Sequence, residues 1–222
     1  MKLLTLISTL CLVFTISAKS QSSKPYITAG GEMIFSFAGI DNNGTDGSSL
    51  LRWTPFFNIQ TMVNSDLSDK FGIFSGLAIR NVGYIYDGYT DPATQVIYKK
   101  KFRSYNLGIP IGFKIGNLDN MFLFGGYEVE FPFLYKEKTF DGTDKINKTT
   151  GWFSKRQELF QHGFLVGIQF PRGPSIKFKY YLSEFHNQDF QDSAGTKPYA
   201  GLESNIFYFS LSYYLFSEFA SY

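Results

Sequence analysis

The segment RSYNLGIPIGFKIG, residues 103–116, decides the fold class. From Asn106 to Ile115 it alternates without a break. Leu107, Ile109, Ile111, Phe113 and Ile115 share one parity, and Asn106, Gly108, Pro110, Gly112 and Lys114 share the other. A period of two marks a β-strand, here with one apolar face and one polar, glycine-rich face. A water-soluble protein turns the apolar face inward to a core, whereas a membrane barrel turns it outward to lipid.

The same alternation recurs along the chain and predicts eight strands, near residues 26–38, 51–63, 71–86, 102–115, 121–136, 159–170, 175–183 and 204–216. Met33, Phe35 and Phe37 oppose Glu32 and Ser36, and Leu77 and Ile79 oppose Arg80. Leu123, Tyr127, Val129, Phe131, Phe133 and Tyr135 oppose Glu128, Glu130 and Lys136. Nearer the C-terminus, Ile176, Phe178, Tyr180 and Leu182 oppose Lys177, Lys179, Tyr181 and Ser183. Helical periodicity is missing throughout. Short connections made of turn residues (64–70, 116–120, 171–175) alternate with four longer polar ones (39–50, 87–101, 137–158, 184–203). Short turns at one end and long loops at the other are the pattern of an up-and-down barrel with two unlike ends.

Parity leaves one alternative open: a secreted, lipocalin-like barrel with its aromatic face around a ligand. Three features favour lipid. The polar face carries mostly Gly, Ser, Asn and Gln, not the dense Lys and Glu of a wetted exterior. Gly108, Gly112, Gly126, Gly163 and Gly167 on that face suit a crowded, narrow lumen. Trp53, Tyr84, Tyr86, Tyr98, Tyr135 and Tyr180, near strand ends, resemble interfacial aromatic girdles. The expected fold is all-β, an eight-stranded antiparallel up-and-down transmembrane β-barrel.

The first 20 residues, MKLLTLISTLCLVFTISAKS, read as a signal peptide. Lys2 supplies the positive start, residues 3–17 the apolar stretch, and Ala18-Lys19-Ser20 a small-x-small cleavage site. The apolar stretch falls short of the ~20 residues that span a bilayer. Residues 21–222 remain as one outer-membrane barrel domain. Cys11 is the only cysteine and lies within the leader, so the exported domain forms no disulfide. Without Lys2 and Lys19 the 21 basic residues fall to 19, equal to the 19 acidic ones, which argues against a nucleic-acid partner. His162 and His186 are the only histidines, too few for a three-histidine metal site. No phosphate-binding glycine loop or dinucleotide fingerprint is present. His186 near Ser183, Glu184 and Asp189 is only superficially a Ser/His/acid set. Neither enzymatic activity nor a cofactor is expected.

Four stretches carry a likeness to a known group: RSYNLGIPIGFKIG, the glycine-aromatic strand at 121–133, KFKYYLSEFHN (177–187) and NIFYFSLSYYLF (205–216). Together they resemble the PorT-like outer-membrane β-barrel proteins of Bacteroidetes-type bacteria, over nearly the whole chain after the leader. The resemblance implies residence in the outer membrane. Leu211, Tyr213, Leu215 and Phe216 look like a signal read by the barrel-assembly machinery, although the chain continues through 217–222. The expected role is that of a monomeric, non-catalytic envelope protein. Its expected partners are outer-membrane lipid and lipopolysaccharide, with an envelope or secretion protein as a further partner. A narrow small-solute channel is the alternative.

Glu32, Arg52, Arg80, Lys114, Glu128, Glu130, Lys177 and Lys179 fall on the lumen parity. Unpaired charges in a water-poor interior are costly, so pairing is expected. Arg80 should reach one or both of Glu128 and Glu130 across the small residues Gly108 and Pro110. In the long loops, Phe140, Trp152, Phe153, Phe185, Phe190 and Tyr199 are candidate binding anchors. The basic runs Lys99-Lys100-Lys101-Phe102-Arg103 and Lys155-Arg156 could meet lipopolysaccharide phosphates. Pro110 and Pro132 cannot donate to a ladder and predict bulges or weakened pairing.

Overall fold

The computed structural model describes residues 24–91 and 94–219, with side chains to Tyr213. The segment expected to be a signal peptide and the side chains of Leu215 and Phe216 lie outside the described residues. The strands are β1 (Tyr26–Asn42), β2 (Asp46–Leu50), β3 (Arg52–Thr54), β4 (Ile59–Ser68), β5 (Phe71–Thr90) and β6 (Ile97–Gly116). They continue with β7 (Phe122–Asp141), β8 (Asp144–Trp152), β9 (Gln161–Gln169), β10 (Pro174–Tyr181) and β11 (Leu202–Phe219).

Among the described residues eleven strands make eight staves, because two staves are broken. β2, β3 and β4 together form the second stave between β1 and β5, and β8 and β9 form the sixth along β7. Every pairing is antiparallel. β11 closes the ring on β1, in register from Tyr26↔Phe219 to Asn42↔Leu202 apart from a bulge at Ala29/Gly30. The result is an eight-stranded up-and-down barrel.

Its faces are inverted relative to a soluble protein. Leu107, Ile109, Ile111, Phe113 and Ile115 point outward and are exposed, while Ser104, Asn106 and Lys114 on the same strand are buried. Exposed Ile73, Leu77, Leu123, Val166, Ile176 and Leu211 carry the apolar belt round the ring. The aromatic face does not surround a ligand cavity, which rules out the lipocalin arrangement.

Three of the four expected long loops are wall instead. β1 turns through residues 43–45 into β2, β5 and β6 run on to Thr90 and Ile97, and β7 returns as β8 through a tight turn containing Gly142 at φ 55°. These extensions are polar on both faces; Asp144 to Thr149 of β8 are nearly all exposed, so hydrophobic alternation could not reveal them. Among the described residues the fourth, after β10 (182–201), forms no named strand, and it folds back into the barrel mouth.

Bulges and breaks redirect several side chains. Between Tyr105↔Leu134 and Asn106↔Pro132 the residue Phe133 has no partner, so a bulge sits directly after Pro132. It turns Tyr135 inward, where it is fully buried. Tyr84 and Tyr86 share the parity of Arg80 and are buried too, so none of these three belongs to a girdle. Trp53 and Tyr180 are exposed. Opposite Pro110 the β5–β6 ladder skips from Ser75↔Ile111 to Ala78↔Gly108. The broken staves, second and sixth, stand four places apart in a ring of eight, hence on opposite sides. Each break holds an aromatic residue in the left-handed region, Phe57 at φ 64° and Phe153 at φ 46°.

Candidate functional site

Along β6, inward residues rise from Lys114 through Pro110 and Gly108 to Asn106 and Phe102, and the lumen is layered in the same order. At the short-turn end Lys114 Nζ meets the Asp66 carboxylate and lies 2.8 Å from Tyr26 Oη. Midway, three carboxylates and three cations assemble. Arg80 donates from Nε to Glu128 (3.1 Å), from one terminal nitrogen to Glu32 and from the other to Gln60 Oε1 (3.0 Å). Lys177 Nζ lies 2.9 and 3.0 Å from the two oxygens of Glu32. Lys179 Nζ bridges Glu128 (2.6 Å) and Glu130 (2.5 Å). Tyr181 and Asn106 also donate to Glu130, at 2.6 Å each.

Gly108 makes room for this layer. A β-carbon there would run into the Glu128 carboxylate, so glycine lets the Arg80–Glu128 link pass over β6. Charges of both signs balance, and each ion has a geometric partner, as burial in a water-poor space requires. Arg80 does not touch Glu130; Lys179 supplies that link.

Above this layer lies an aromatic plug. Tyr84, Phe102, Tyr135, Phe185 and Tyr199 are buried together with His186. The His186 ring stacks on Tyr199 (4.4 Å, 15°) and its Nε2 meets Tyr84 Oη at 2.9 Å. Tyr199 Oη donates to Glu137 (2.7 Å) and accepts from Arg156 (3.0 Å). The backbone of the connection is tied down by Phe185 N–H to Ser204 O (3.0 Å) and Leu182 N–H to His162 O (2.8 Å).

Several sequence-predicted residues sit elsewhere than expected. Arg52 does not enter the lumen network. The broken second stave lets its guanidinium reach Asn81, at 2.6 Å to Oδ1 and 3.1 Å to the carbonyl, and it lines an outer groove. Lys114 is in the lumen but separate from the central six charges. Phe185 and Tyr199 are buried in the plug and Phe190 packs against it, so these three are not surface anchors. Phe140 is half-buried on β7, while Trp152 and Phe153 are exposed on the outer wall. The basic runs divide by parity. Lys100 pairs with Glu137 (3.3 Å) and Arg156 with the plug, whereas Lys101 and Arg103 face outward.

The Ser/His/acid set is not assembled. Ser183 Oγ accepts from His162 N–H (3.0 Å), Glu184 accepts from Ser204 N–H, and Asp189 pairs with Lys197 (3.1 Å). Among the described residues no group of His, Cys, Asp or Glu is placed to hold a metal ion. Sequence reasoning missed Gln60, Asn106 and Tyr181 as network partners, although the lumen parity of Asn106 and Tyr181 was there to read.

No protein-family model and no curated protein matches the chain. Several solved structures are similar to the chain. Ail, the attachment invasion locus protein of Yersinia pestis, in complex with the heparin analogue sucrose octasulfate, is 9% identical with a TM-score of 0.40, over 86% of this chain and 99% of that one. OprG from Pseudomonas aeruginosa is 8% identical with a TM-score of 0.37, over 92% and 100%. Neisserial surface protein A is 11% identical with a TM-score of 0.33, over 86% and 97%.

Proposed function

We propose that the protein is a non-catalytic, monomeric integral protein of the bacterial outer membrane, a closed barrel that carries a tall surface crown. The inverted burial supports this reading. An unbroken apolar belt faces outward and ion pairs fill the inside, an arrangement that only a lipid solvent stabilises. From Tyr105 to Ile115 the wall climbs ten steps of about 3.3 Å at a tilt of about 40°, giving about 25 Å, the height of such a belt. The strands then continue well past it, so the extra chain is spent on the crown of β2, β8 and the upper parts of β5, β6 and β7. Rigid, protruding wall of this kind serves binding at the cell surface to envelope lipid, lipopolysaccharide or an envelope protein. The filled lumen argues against the small-solute channel.

The test is expression with the leader in a Gram-negative host, followed by fractionation and gel migration with and without boiling. Recovery with outer membranes and heat-modifiable migration are expected. A water-soluble monomer that binds fatty acids would overturn the reading.

A further inference from the structure

On the outer wall, between the break at 55–58 and the upper parts of β5, β6 and β7, lies a groove of about 350 Å³. Arg52, Lys101, Arg103, Lys136 and Lys138 line it, and no acidic residue does. The register makes this clustering costly. Arg103 stands directly opposite Lys136, Lys101 opposite Lys138, and Lys138 opposite Lys148 on β8. Like charges directly across an antiparallel pair destabilise it. The nearby carboxylates offer no relief, because Asp87 pairs with Lys99 and Glu137 with Lys100. Arg52 meets only the neutral Asn81. Among the described residues the groove cations have no carboxylate partner.

The groove's height is as telling as its charge. Along the outer parity of β6 the order is Leu107, Tyr105, Arg103, Lys101, so the cations begin one outward step above the last belt aromatic. Trp53, Phe56 and Phe57 stand at its edge, 58%, 72% and 69% exposed. Phe57 packs edge-on against Tyr105 at 6.1 Å and holds a left-handed φ of 64°. A bulky residue is uncommon in that region, so the surrounding break has to hold Phe57 there.

Resting on the outer-membrane reading, we infer that this groove binds an acylated glycolipid of the outer leaflet carrying more than one phosphate. A single phosphate monoester brings at most two negative charges to five cations, so one phosphate leaves most of the repulsion in place. Acyl chains account for the exposed rings and the belt directly below. A soluble polyphosphate would answer the charge but not the aromatics.

The test uses the purified, delipidated full-length barrel in detergent, with lipid retention read by native mass spectrometry. Probes are a bis-phosphorylated lipid A, the same lipid with both phosphates removed, and inositol hexakisphosphate. The wild type should retain the bis-phosphorylated lipid selectively. The combined variant Arg103→Gln, Lys136→Gln, Lys138→Gln should weaken retention by on the order of a hundredfold, at about fivefold per cation. It should unfold no more readily than the wild type without lipid, because cross-strand repulsion is relieved. A charge-matched control, Lys155→Gln, Arg172→Gln, Lys197→Gln, should retain the lipid. Equal retention of the dephosphorylated lipid, or full retention by the groove variant, overturns the inference. Inositol hexakisphosphate binding as tightly as the lipid overturns the lipid as its source. Heat-modifiable migration in every variant separates failure of the inference from failure of the outer-membrane reading.

Discussion

Glu128 is the hinge of the buried charge layer, since Arg80 and Lys179 both lean on it. Removing Arg80 leaves three carboxylates against two lysines in a space with little water. Arg80→Ala should therefore cost about 3–5 kcal/mol, read as a lower urea midpoint for unfolding from lipid vesicles. Adding Glu128→Gln leaves two matched pairs, Glu32 with Lys177 and Glu130 with Lys179. That double variant should recover part of the loss; no recovery would show that the charges act independently. Gly108→Ala probes the same contact sterically, because its β-carbon displaces the Glu128 carboxylate, and should cost about 1–3 kcal/mol in the same assay. Most of the layer was legible in the sequence, because Glu32, Arg80, Glu128, Glu130, Lys177 and Lys179 keep lumen parity on uninterrupted stretches. Arg52 was not, because the break that frees its side chain leaves no trace in alternation.

At the level of elements, the connection of residues 182–201 behaves as a plug held by aromatic packing and one neutral histidine. His186 lies in this connection, outside the membrane-spanning staves. Burial pushes its imidazole down from 6.5 to about 3, against the pull of Glu137. The released connection takes up a proton below about pH 6.5, and the docked one does not until about pH 3, so acidification across that window favours release. Glu137, on the crown part of β7, adds the same sign lower down. Despite burial, Lys100 and the Tyr199 hydroxyl hold its carboxyl below the ordinary value. The protection of residues 183–200 against hydrogen exchange, taken relative to the intrinsic rate at each pH, should therefore fall from pH 7 to pH 4. In His186→Phe the change above pH 5 should vanish; an unchanged slope would assign the effect to another group. The plug was invisible beforehand, since the loop sequence is polar and nothing in it says that Phe185, His186 and Tyr199 turn inward. Tyr135 was misread for a related reason, the bulge at Phe133 that inverts parity above it. Alternation reports strands faithfully only between such irregularities.

For the whole molecule, eight staves leave an interior just wide enough for side chains to fill. Here three layers fill it in series: Lys114 with Asp66 and Tyr26, the six-charge layer, and the aromatic plug. A solute would have to pass all three. Loss of one layer does not open a path, because each is held by its own contacts: the charge layer by ion pairs among β1, β5, β7 and β10, and the plug by the inward packing of residues 182–201. Planar-bilayer recordings of the wild type should show no large steady conductance. Phe185→Ser combined with Tyr199→Ser loosens the plug alone and should be equally silent, although its connection becomes sensitive to protease. Conductance should emerge only when the plug substitutions are joined to Arg80→Ala and Glu128→Gln, and then as brief flickers, because the stave number still limits the bore. A stable nanosiemens-scale pore in the wild type would restore the channel reading and make the buried ions a conduction path.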